Sequence, residues 1–173
     1  MVSVVALGAI TGGTNIAICE AELVELGFAP DSYSILSGQQ MESIRKRLEI
    51  MRGTLPVPNV GGSIANTAEF IARAGVSCGL MGVGGEDTFG RAYVKSCNKT
   101  SLQFLLPLQE GAVTGYDFYL DLADGRRTIL WTAGANSLLS PERIESNAIQ
   151  EAELLLIDGG ALDLGPEAEA AVS

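Results

Sequence analysis

The sequence contains no histidine, one tryptophan and three cysteines. Without histidine, Ser-His-Asp and Cys-His nucleophiles and HExxH metal sites are excluded. Proton transfer at a site in this chain would therefore use carboxylate, lysine or tyrosine side chains, or a group outside the chain. Cys19, Cys78 and Cys97 are widely spaced and form no CxxC pair, which argues against a disulfide framework and a cysteine metal site. This sparse use of cysteine predicts a reducing, cytoplasmic compartment.

Basic residues are also few, with 11 Lys and Arg against 21 Asp and Glu and a formal net charge of −10. Because nucleic-acid binding needs a basic surface, we expect no nucleic-acid partner. The run Arg45-Lys46-Arg47 is interpreted as the solvated face of a helix. No apolar run approaches the roughly 18 residues of a membrane span. The start, MVSVVALGAI, lacks a basic segment and predicts a buried strand, so we expect no membrane partner.

The 173 residues, 47% hydrophobic and 18% charged, are typical of one globular domain. Apolar runs predict buried strands, and periodic apolar stripes predict helices between them. This alternation predicts an α/β fold around a parallel sheet. The predicted strands are Val2 to Leu7, Ser77 to Val83 and Leu154 to Ile157, and the predicted helices are Ser37 to Arg52, Ile64 to Ala74, Phe89 to Lys99 and a short one opening at Pro141.

A second kind of pattern, with a period of two residues, occupies Val113 to Leu122 and Arg127 to Thr132. The Asp124-Gly125 pair between them indicates an antiparallel hairpin with one solvated face, separate from the main sheet. Residues 15–36 are ambiguous, because Ala17 to Leu23 alternate as in a half-exposed strand. The stretch Glu167 to Ser173 resembles the beginning of a helix, where a domain rarely ends, so we expect a truncated chain.

Two glycines stand where a connector meets a predicted helix, in Gly61-Gly62-Ser63-Ile64-Ala65-Asn66. Without Cβ atoms, glycines let a small ligand approach the backbone closely. The first-turn N–H groups of a helix can bond hydroxyls or anions, and Asn66 adds a donor and an acceptor. The segment therefore indicates a polyol-binding site. It is also compatible with a glycine turn followed by a polar helix start.

The following segments make this pattern more specific. A helix runs to Gly75, and then come Gly79-Leu80-Met81-Gly82-Val83 and Gly84-Gly85-Glu86-Asp87-Thr88-Phe89-Gly90. In order and spacing, a GGxxxN segment, a helix ending at glycine and a GxVGxDxxG-type stretch resemble the first signature of the PfkB carbohydrate kinase family. The match extends over about thirty residues, which is far more specific than one glycine pair.

Four further segments resemble motifs of the same family and extend the resemblance over most of the chain. They are Thr114-Gly115 at the start of the hairpin, Gly125-Arg126-Arg127-Thr128 at its turn, Ala133-Gly134-Ala135-Asn136 after it, and Ile157-Asp158-Gly159 at the last predicted strand. The resemblance implies the N-terminal half of a ribokinase-like three-layer α/β fold with a small antiparallel β lid. Residues 1–173 would form one partial domain, with lid segments at about 10–36 and 113–133.

The family resemblance also implies a function. It is Mg²⁺-assisted transfer of the γ-phosphoryl of ATP to a primary hydroxyl of a sugar or nucleoside, as in the ribokinase and adenosine-kinase-like branch. Gly61, Gly62 and Asn66 would hold the acceptor hydroxyls, and Thr114 and Asp158 would lie close to the substrate. Closure of the lid would exclude water, which competes for the phosphoryl group.

The sequence departs from the family pattern in two places. The family carries an aspartate for the acceptor hydroxyls in a G-x-x-x-x-D arrangement, and counting from Gly8 that place holds Gly13. We expect Thr14 or Asn15 to substitute. The family's catalytic aspartate lies in a GAGD-type segment, and nothing after Asp158 resembles it, so we assign no catalytic residue and no ATP or Mg²⁺ site. Asp87 is interpreted as a helix cap.

Three functional hypotheses remain open from the sequence. The first is the acceptor half of a PfkB-type kinase, inactive unless completed. The second is a non-catalytic binding or assembly protein that forms a homodimer through its lid or an exposed sheet edge. An unrelated nucleotide-binding domain is weaker, because the sequence has neither GxGxxG nor GxxxxGK[ST].

Overall fold

The computed structural model describes residues 2–56, 59–144 and 146–159. Two short 3-10 helices, Ala135–Leu138 and Pro141–Arg143, follow the last strand of the hairpin. The described strands are β1 (Val4–Leu7), β2 (Thr11–Ala17), β3 (Tyr33–Ile35), β4 (Asn59–Gly61), β5 (Cys78–Met81), β6 (Leu102–Phe104), β7 (Thr114–Asp121), β8 (Arg127–Gly134) and β9 (Leu154–Ile157). The described helices are α1 (Glu20–Leu26), α2 (Gly38–Arg52), α3 (Ser63–Arg73), α4 (Thr88–Cys97) and α5 (Ser146–Gln150).

The first sheet is parallel and has the strand order β6-β5-β1-β9. Its central strand β1 is buried along its whole length, as its continuous apolar run predicts. Helices α3 and α4 cover one face through a core that includes Ala68 and Tyr93. The 3-10 region and α5 cover the other, where Leu139 and Met81 are buried. These three layers confirm the predicted α/β architecture.

The second sheet has the order β3-β8-β7-β2-β4 and is mixed. Strands β7 and β8 form the predicted antiparallel hairpin, with Thr114 opposite Gly134 and Asp121 opposite Arg127. Strand β2 runs parallel to β7, and β3 runs parallel to β8. The outer face packs on α1 and α2, because the alternate residues of β2, β7 and β8 on that side are apolar.

Helix α2 illustrates how local sequence sets an element. Ser37 caps it by accepting a hydrogen bond from the Gln40 N–H at 3.2 Å, and the Ser37 N–H donates to Gln40 Oε1 at 2.9 Å. This reciprocal pair is a capping box. Ile44 and Leu48 are buried one turn apart against the second sheet, and Gly53 follows the helix, so the predicted bounds are confirmed.

The structure resolves one ambiguous segment and corrects one expectation. Within residues 15–36, the alternation over residues 17–23 does not continue a strand, because α1 begins at Glu20 with Glu22 bonded back to the Cys19 N–H at 2.9 Å. Strand β9 is parallel as predicted but is not buried: Leu154, Leu155 and Ile157 are 49%, 36% and 44% exposed. In the described part of the chain β9 pairs with β1 alone and so lies at an edge. The predicted helix start at Glu167 to Ser173 lies outside the described residues.

Across the described ranges, the helices are too short or too polar for any of them to span a bilayer.

Candidate functional site

The glycine pair of the first signature places the start of α3 directly against the turn between β1 and β2. Gly62 has φ of +106°, and a Cβ at this position would lie 2.9 Å from the carbonyl oxygen of Ala9. Glycine is therefore required both by its backbone conformation and by the close approach of another chain segment. The first intrahelical bond is donated by the Asn66 N–H to the Gly62 carbonyl at 2.9 Å. The N–H groups of the three preceding residues have no intrahelical acceptor.

A cleft of about 260 Å³ opens between the start of α3, the end of β9 and the inner face of the second sheet. Polar side chains from several elements converge there beside an apolar wall. Such a mixture of a few placed polar groups and apolar surface is typical of small-molecule sites. The lining residues are Ala9, Thr11, Tyr33, Gly62, Ser63, Asn66, Asp117, Tyr119, Ile129, Trp131 and Asp158.

Asp158 reaches the cleft from the carboxyl end of β9. Its N–H donates to the carbonyl of Leu7 at 3.0 Å, continuing the pairing with β1. A Cβ at Gly8 would lie 2.6 Å from the Asp158 Cβ. Glycine at position 8 thus leaves the space in which the Asp158 side chain lies across the end of the central strand.

The inner face of the second sheet contributes a buried carboxylate. Asp117 on β7 is 7% exposed, and its partner in register on β8 is Trp131. Burial raises the pKa of the Asp117 carboxyl, while hydrogen bonding from the side chains of Thr11 and Tyr119 opposes this increase. Burying a carboxylate without a cationic partner costs stability, so its position in the cleft indicates a role in function.

The structure brings three of the six predicted site residues, Gly62, Asn66 and Asp158, into the cleft. Gly61 directly precedes Gly62 in the chain but does not line the cleft. The Gly61 carbonyl accepts a hydrogen bond from the Tyr93 hydroxyl. Asn15 is exposed on β2 and donates to Asp121 Oδ2 at 2.9 Å. Thr114 is 1% exposed. Neither Asn15 nor Thr114 lines the cleft.

Thr114 lies instead at an anchor formed by Asp87. The Asp87 carboxylate accepts from the Gly90 N–H at 2.7 Å, from the Thr114 N–H at 2.7 Å and from the Thr114 hydroxyl at 2.9 Å. The first bond caps α4, and the other two tie the signature loop to the start of the hairpin. The interpretation of Asp87 as a cap is confirmed.

Sequence reasoning missed Asp117, Tyr119 and Trp131. The signal was present in the hairpin, where Tyr116 and Phe118 mark the face that packs on the helices. The residues between them must point to the opposite face. A carboxylate and large aromatic residues on a face expected to be solvated indicate a site rather than an ordinary exposed surface.

A second cleft, of about 430 Å³, lies on the other side of the second sheet. Tyr116 and Phe118 line it together with Phe89 and Leu55. It is larger, but of the residues predicted to bind the acceptor only Thr14 lines it, and its wall is mostly apolar. The smaller cleft is the better candidate because polar groups from separate segments converge in it.

Within the described ranges, no group of three or more acidic or cysteine side chains is placed to share a metal ion.

Solved structures share this architecture. Adenosine kinase from Sinorhizobium meliloti superposes with a TM-score of 0.84 at 21% identity, over 99% of this chain and 51% of that one. A probable sugar kinase from Rhizobium etli CFN 42 has a TM-score of 0.84 at 19% identity, over 99% of this chain and 50% of that one. This chain therefore has the fold of about half of each of these proteins.

Sequence comparison also finds similar curated proteins. The 5-dehydro-2-deoxygluconokinase of Shouchella clausii is 33% identical over 118 residues, which are 65% of this chain and 36% of that protein. The Bacillus subtilis protein of the same name is 31% identical over 116 residues, 64% of this chain and 35% of its own length. The model of the pfkB family carbohydrate kinases matches residues 39–172, and this chain therefore belongs to the pfkB family of carbohydrate kinases.

Proposed function

We propose that this chain forms the acceptor-binding part of a kinase that transfers a phosphoryl group from ATP to a primary hydroxyl of a sugar or nucleoside. The observation that carries the proposal is the cleft in which the start of α3 faces the inner side of the second sheet. Hydroxyl groups both donate and accept hydrogen bonds. Asn66, the N–H groups at the start of α3 and the carboxylate of Asp117 together supply the matching donors and acceptors.

In this proposal the described residues bind and orient the acceptor, and the second sheet, with segments 10–36 and 113–133, acts as a lid. Holding the hydroxyl in place lowers the entropic cost of the reaction, and a closed lid excludes water. The described residues assign no general base and no phosphate site. We therefore expect the chain alone to bind the acceptor without phosphorylating it.

The names of two similar proteins point to two classes of acceptor. The name of the Shouchella clausii protein indicates a gluconate derivative, which is an anionic sugar acid. The Sinorhizobium meliloti structure is that of an adenosine kinase, whose acceptor is a neutral nucleoside. Several hydroxyl groups on a small ring or chain are common to both.

Replacing Asn66 with alanine is expected to weaken acceptor binding by about tenfold, the loss of one or two neutral hydrogen bonds. Trp131 provides the measurement, since it is the single tryptophan of the chain and it lines the cleft. Its fluorescence is titrated with adenosine and with D-ribose. Asn98→Ala, an exposed asparagine at the end of α4, is the matched control and should bind as the wild type does. No binding of adenosine, D-ribose or D-gluconate by the wild-type chain would overturn the proposed function.

A second candidate function is assembly, and the exposed edge strand β9 favours it. Leu154, Leu155 and Ile157 present apolar side chains beside unpaired backbone groups in the described structure. Open strand edges with apolar residues tend to pair with another chain. The partner in this proposal is a second copy of the chain.

Replacing Leu155 and Ile157 together with glutamate is expected to convert a dimer into a monomer, because like charges would then meet at the edge. Sedimentation velocity at micromolar concentrations measures the change. Val24→Glu, which charges an apolar residue 62% exposed on α1, should leave the dimer intact. A monomeric wild-type chain at the same concentration contradicts this candidate.

A further inference from the structure

We propose that Asp117 is the acceptor-binding carboxylate of this chain, in place of the family aspartate missing at Gly13, and that it selects neutral polyols over sugar acids. The inference rests on the proposed function and adds to it a specific residue and a substrate class. Four features of the cleft support it.

First, position 13 has no room for a carboxylate. A Cβ on Gly13 would lie 2.6 Å from Cε2 of Tyr119, because the tyrosine ring covers this part of β2. A side chain could enter only if the ring moved, and the Arg127 guanidinium also packs on this ring, 5.3 Å from its centroid. Glycine at 13 and tyrosine at 119 are thus parts of one arrangement.

Second, the strand register brings Asp117 to the same place. Gly13 and Asp117 are paired residues of the parallel strands β2 and β7. Paired residues project their side chains to the same face of a sheet, about 5 Å apart. The Asp117 carboxylate therefore lies on the strand next to position 13, on the same face and at the same level of the sheet.

Third, Asp117 is placed to accept hydrogen bonds from a ligand. It lines the cleft with Asn66, which lies across from it at the start of α3. The Asp117 carboxylate interacts with the side chains of Thr11 and Tyr119 and has no ion-pair partner among the described residues. A carboxylate offers about four acceptor positions, so these neighbours leave capacity for the hydroxyls of a bound polyol.

Fourth, the charge of the cleft disfavours an anionic acceptor. Asp117 and Asp158 both line it, and the described lining includes neither lysine nor arginine. A sugar acid would bring a third carboxylate close to these two, where like charges repel. A neutral sugar or nucleoside meets no such repulsion and gains hydrogen bonds to the carboxylate oxygens.

The test compares the wild type with Asp117→Asn by isothermal titration calorimetry, which does not depend on Trp131 beside the substituted residue. The probes are D-ribose and adenosine as neutral acceptors and D-gluconate as a sugar acid. We expect Asp117→Asn to weaken binding of whichever neutral probe the wild type binds by about 10- to 100-fold, the loss of hydrogen bonds to a charged group. The wild type should bind gluconate at least about tenfold more weakly than the neutral probe. The ratio of these two affinities should be smaller in Asp117→Asn than in the wild type.

Asp121→Asn is the matched control. Asp121 lies four residues further along β7 on the same face, but it is ion-paired with Arg127 and lies outside the cleft lining. Its replacement should leave every affinity unchanged.

The outcomes separate this inference from the function on which it rests. Neutral binding by the wild type with no loss in Asp117→Asn overturns the role of Asp117 and leaves the proposed function standing. Gluconate binding as tight as that of the neutral probe overturns the substrate class. Absence of all binding in the wild type overturns the proposed function and this inference together.

Thermal unfolding shows whether the variant is folded, and its pH dependence gives a second signature. The pKa of Asp117 is raised in the fold by burial, so ionisation favours the unfolded chain. The resulting loss of stability is absent below the pKa of the unfolded chain. It grows as the pH rises from that value to the folded pKa and is complete above the folded pKa. We expect Asp117→Asn to have a higher Tm than the wild type at pH 7, with the difference shrinking towards pH 4.

The titratable groups facing Asp117 are Tyr119 on its own strand, Tyr93 on α4, Tyr33 on β3 and Asp158 after β9, and the tyrosines stay protonated over this range. A lower Tm at pH 7 would show that Asp117 has a structural role instead.

Discussion

Replacing Asn136 with alanine is expected to lower the free energy of unfolding by about 3–5 kcal/mol, since each buried group left without a partner costs about 1–3 kcal/mol. Asn136 is 1% exposed. Its Oδ1 accepts from the Ile10 N–H at 2.9 Å, and its Nδ2 donates to the Ile10 carbonyl at 2.7 Å and to the Ala133 carbonyl at 2.9 Å. The substitution would leave three backbone groups without these partners.

The reason for so large an effect is the position of Ile10. It lies in the short link between β1 of the first sheet and β2 of the second, and it is fully buried. Its backbone N–H and carbonyl both bond to the one amide side chain rather than to a neighbouring strand. A buried chain crossing between sheets must satisfy its polar groups somewhere, and Asn136 does so here.

Urea denaturation followed by circular dichroism measures the change. Ser137→Ala is the neighbouring control: Ser137 Oγ donates to the Gly134 carbonyl at 2.8 Å, but the residue is exposed, so a loss under about 1 kcal/mol is expected. Asn136→Asp keeps the volume while placing carboxylate oxygen against two carbonyls, so it should also be strongly destabilised. A free energy of unfolding for Asn136→Ala within about 1 kcal/mol of the wild-type value would contradict a stabilising role for these hydrogen bonds.

Replacing Asp87 with alanine is the second large effect, a loss of about 3–4 kcal/mol, since hydrogen bonds to a charged group contribute about 1.5–3 kcal/mol each and the site is partly exposed. The substitution removes the α4 cap at Gly90 and both bonds to Thr114. It therefore releases a helix start and the first residue of the hairpin together. Asp87→Asn retains acceptor oxygen and should lose less.

A double-mutant cycle separates the two parts of the Asp87 effect. Thr114→Val removes the hydroxyl but keeps the N–H bond to Asp87, and in a wild-type background we expect a smaller loss than for Asp87→Ala. If the two side chains interact, the losses should fail to add by about 1 kcal/mol or more. Glu86→Ala, at the exposed preceding carboxylate, serves as a control with little expected effect. Additive losses in the cycle would mean that the bond from the Thr114 hydroxyl contributes nothing to the effect of Asp87.

Local chemistry explains which features could be predicted from the sequence. Helix starts such as Ser37 with Gln40, the turn at Asp124-Gly125 and the glycine pair before α3 depend on neighbouring residues, and they occur as predicted. The family signature indicated where the cleft begins, at Gly62 and Asn66. Each of these patterns is contained in a few consecutive residues.

The features missed depend on contacts between distant segments. Asp117 became a candidate only when strand pairing placed it beside Gly13, which is a property of register and not of spacing. The exposure of Leu154 and Leu155 depends on which strands flank β9, and an apolar run does not carry that information. Around Glu20 the period-two pattern did not determine the structure. The hydrogen bond from the Cys19 N–H to the Glu22 side chain caps a helix there instead.

The two anchors described above, Asp87 with Thr114 and Asn136 with Ile10, lie at the same end of the β7–β8 hairpin, where Thr114 is paired with Gly134. The turn at Gly125 lies at the opposite end. If the second sheet closes as the proposed lid, these anchors would place the pivot at this end of the hairpin. Strands of eight residues span about 25 Å, so a rotation of roughly 10° would displace the turn at Gly125 by about 4 Å. Asp117, three residues from Thr114, and its partner Gly13 lie about 10 Å from the pivot, so the same rotation would displace them by about 2 Å.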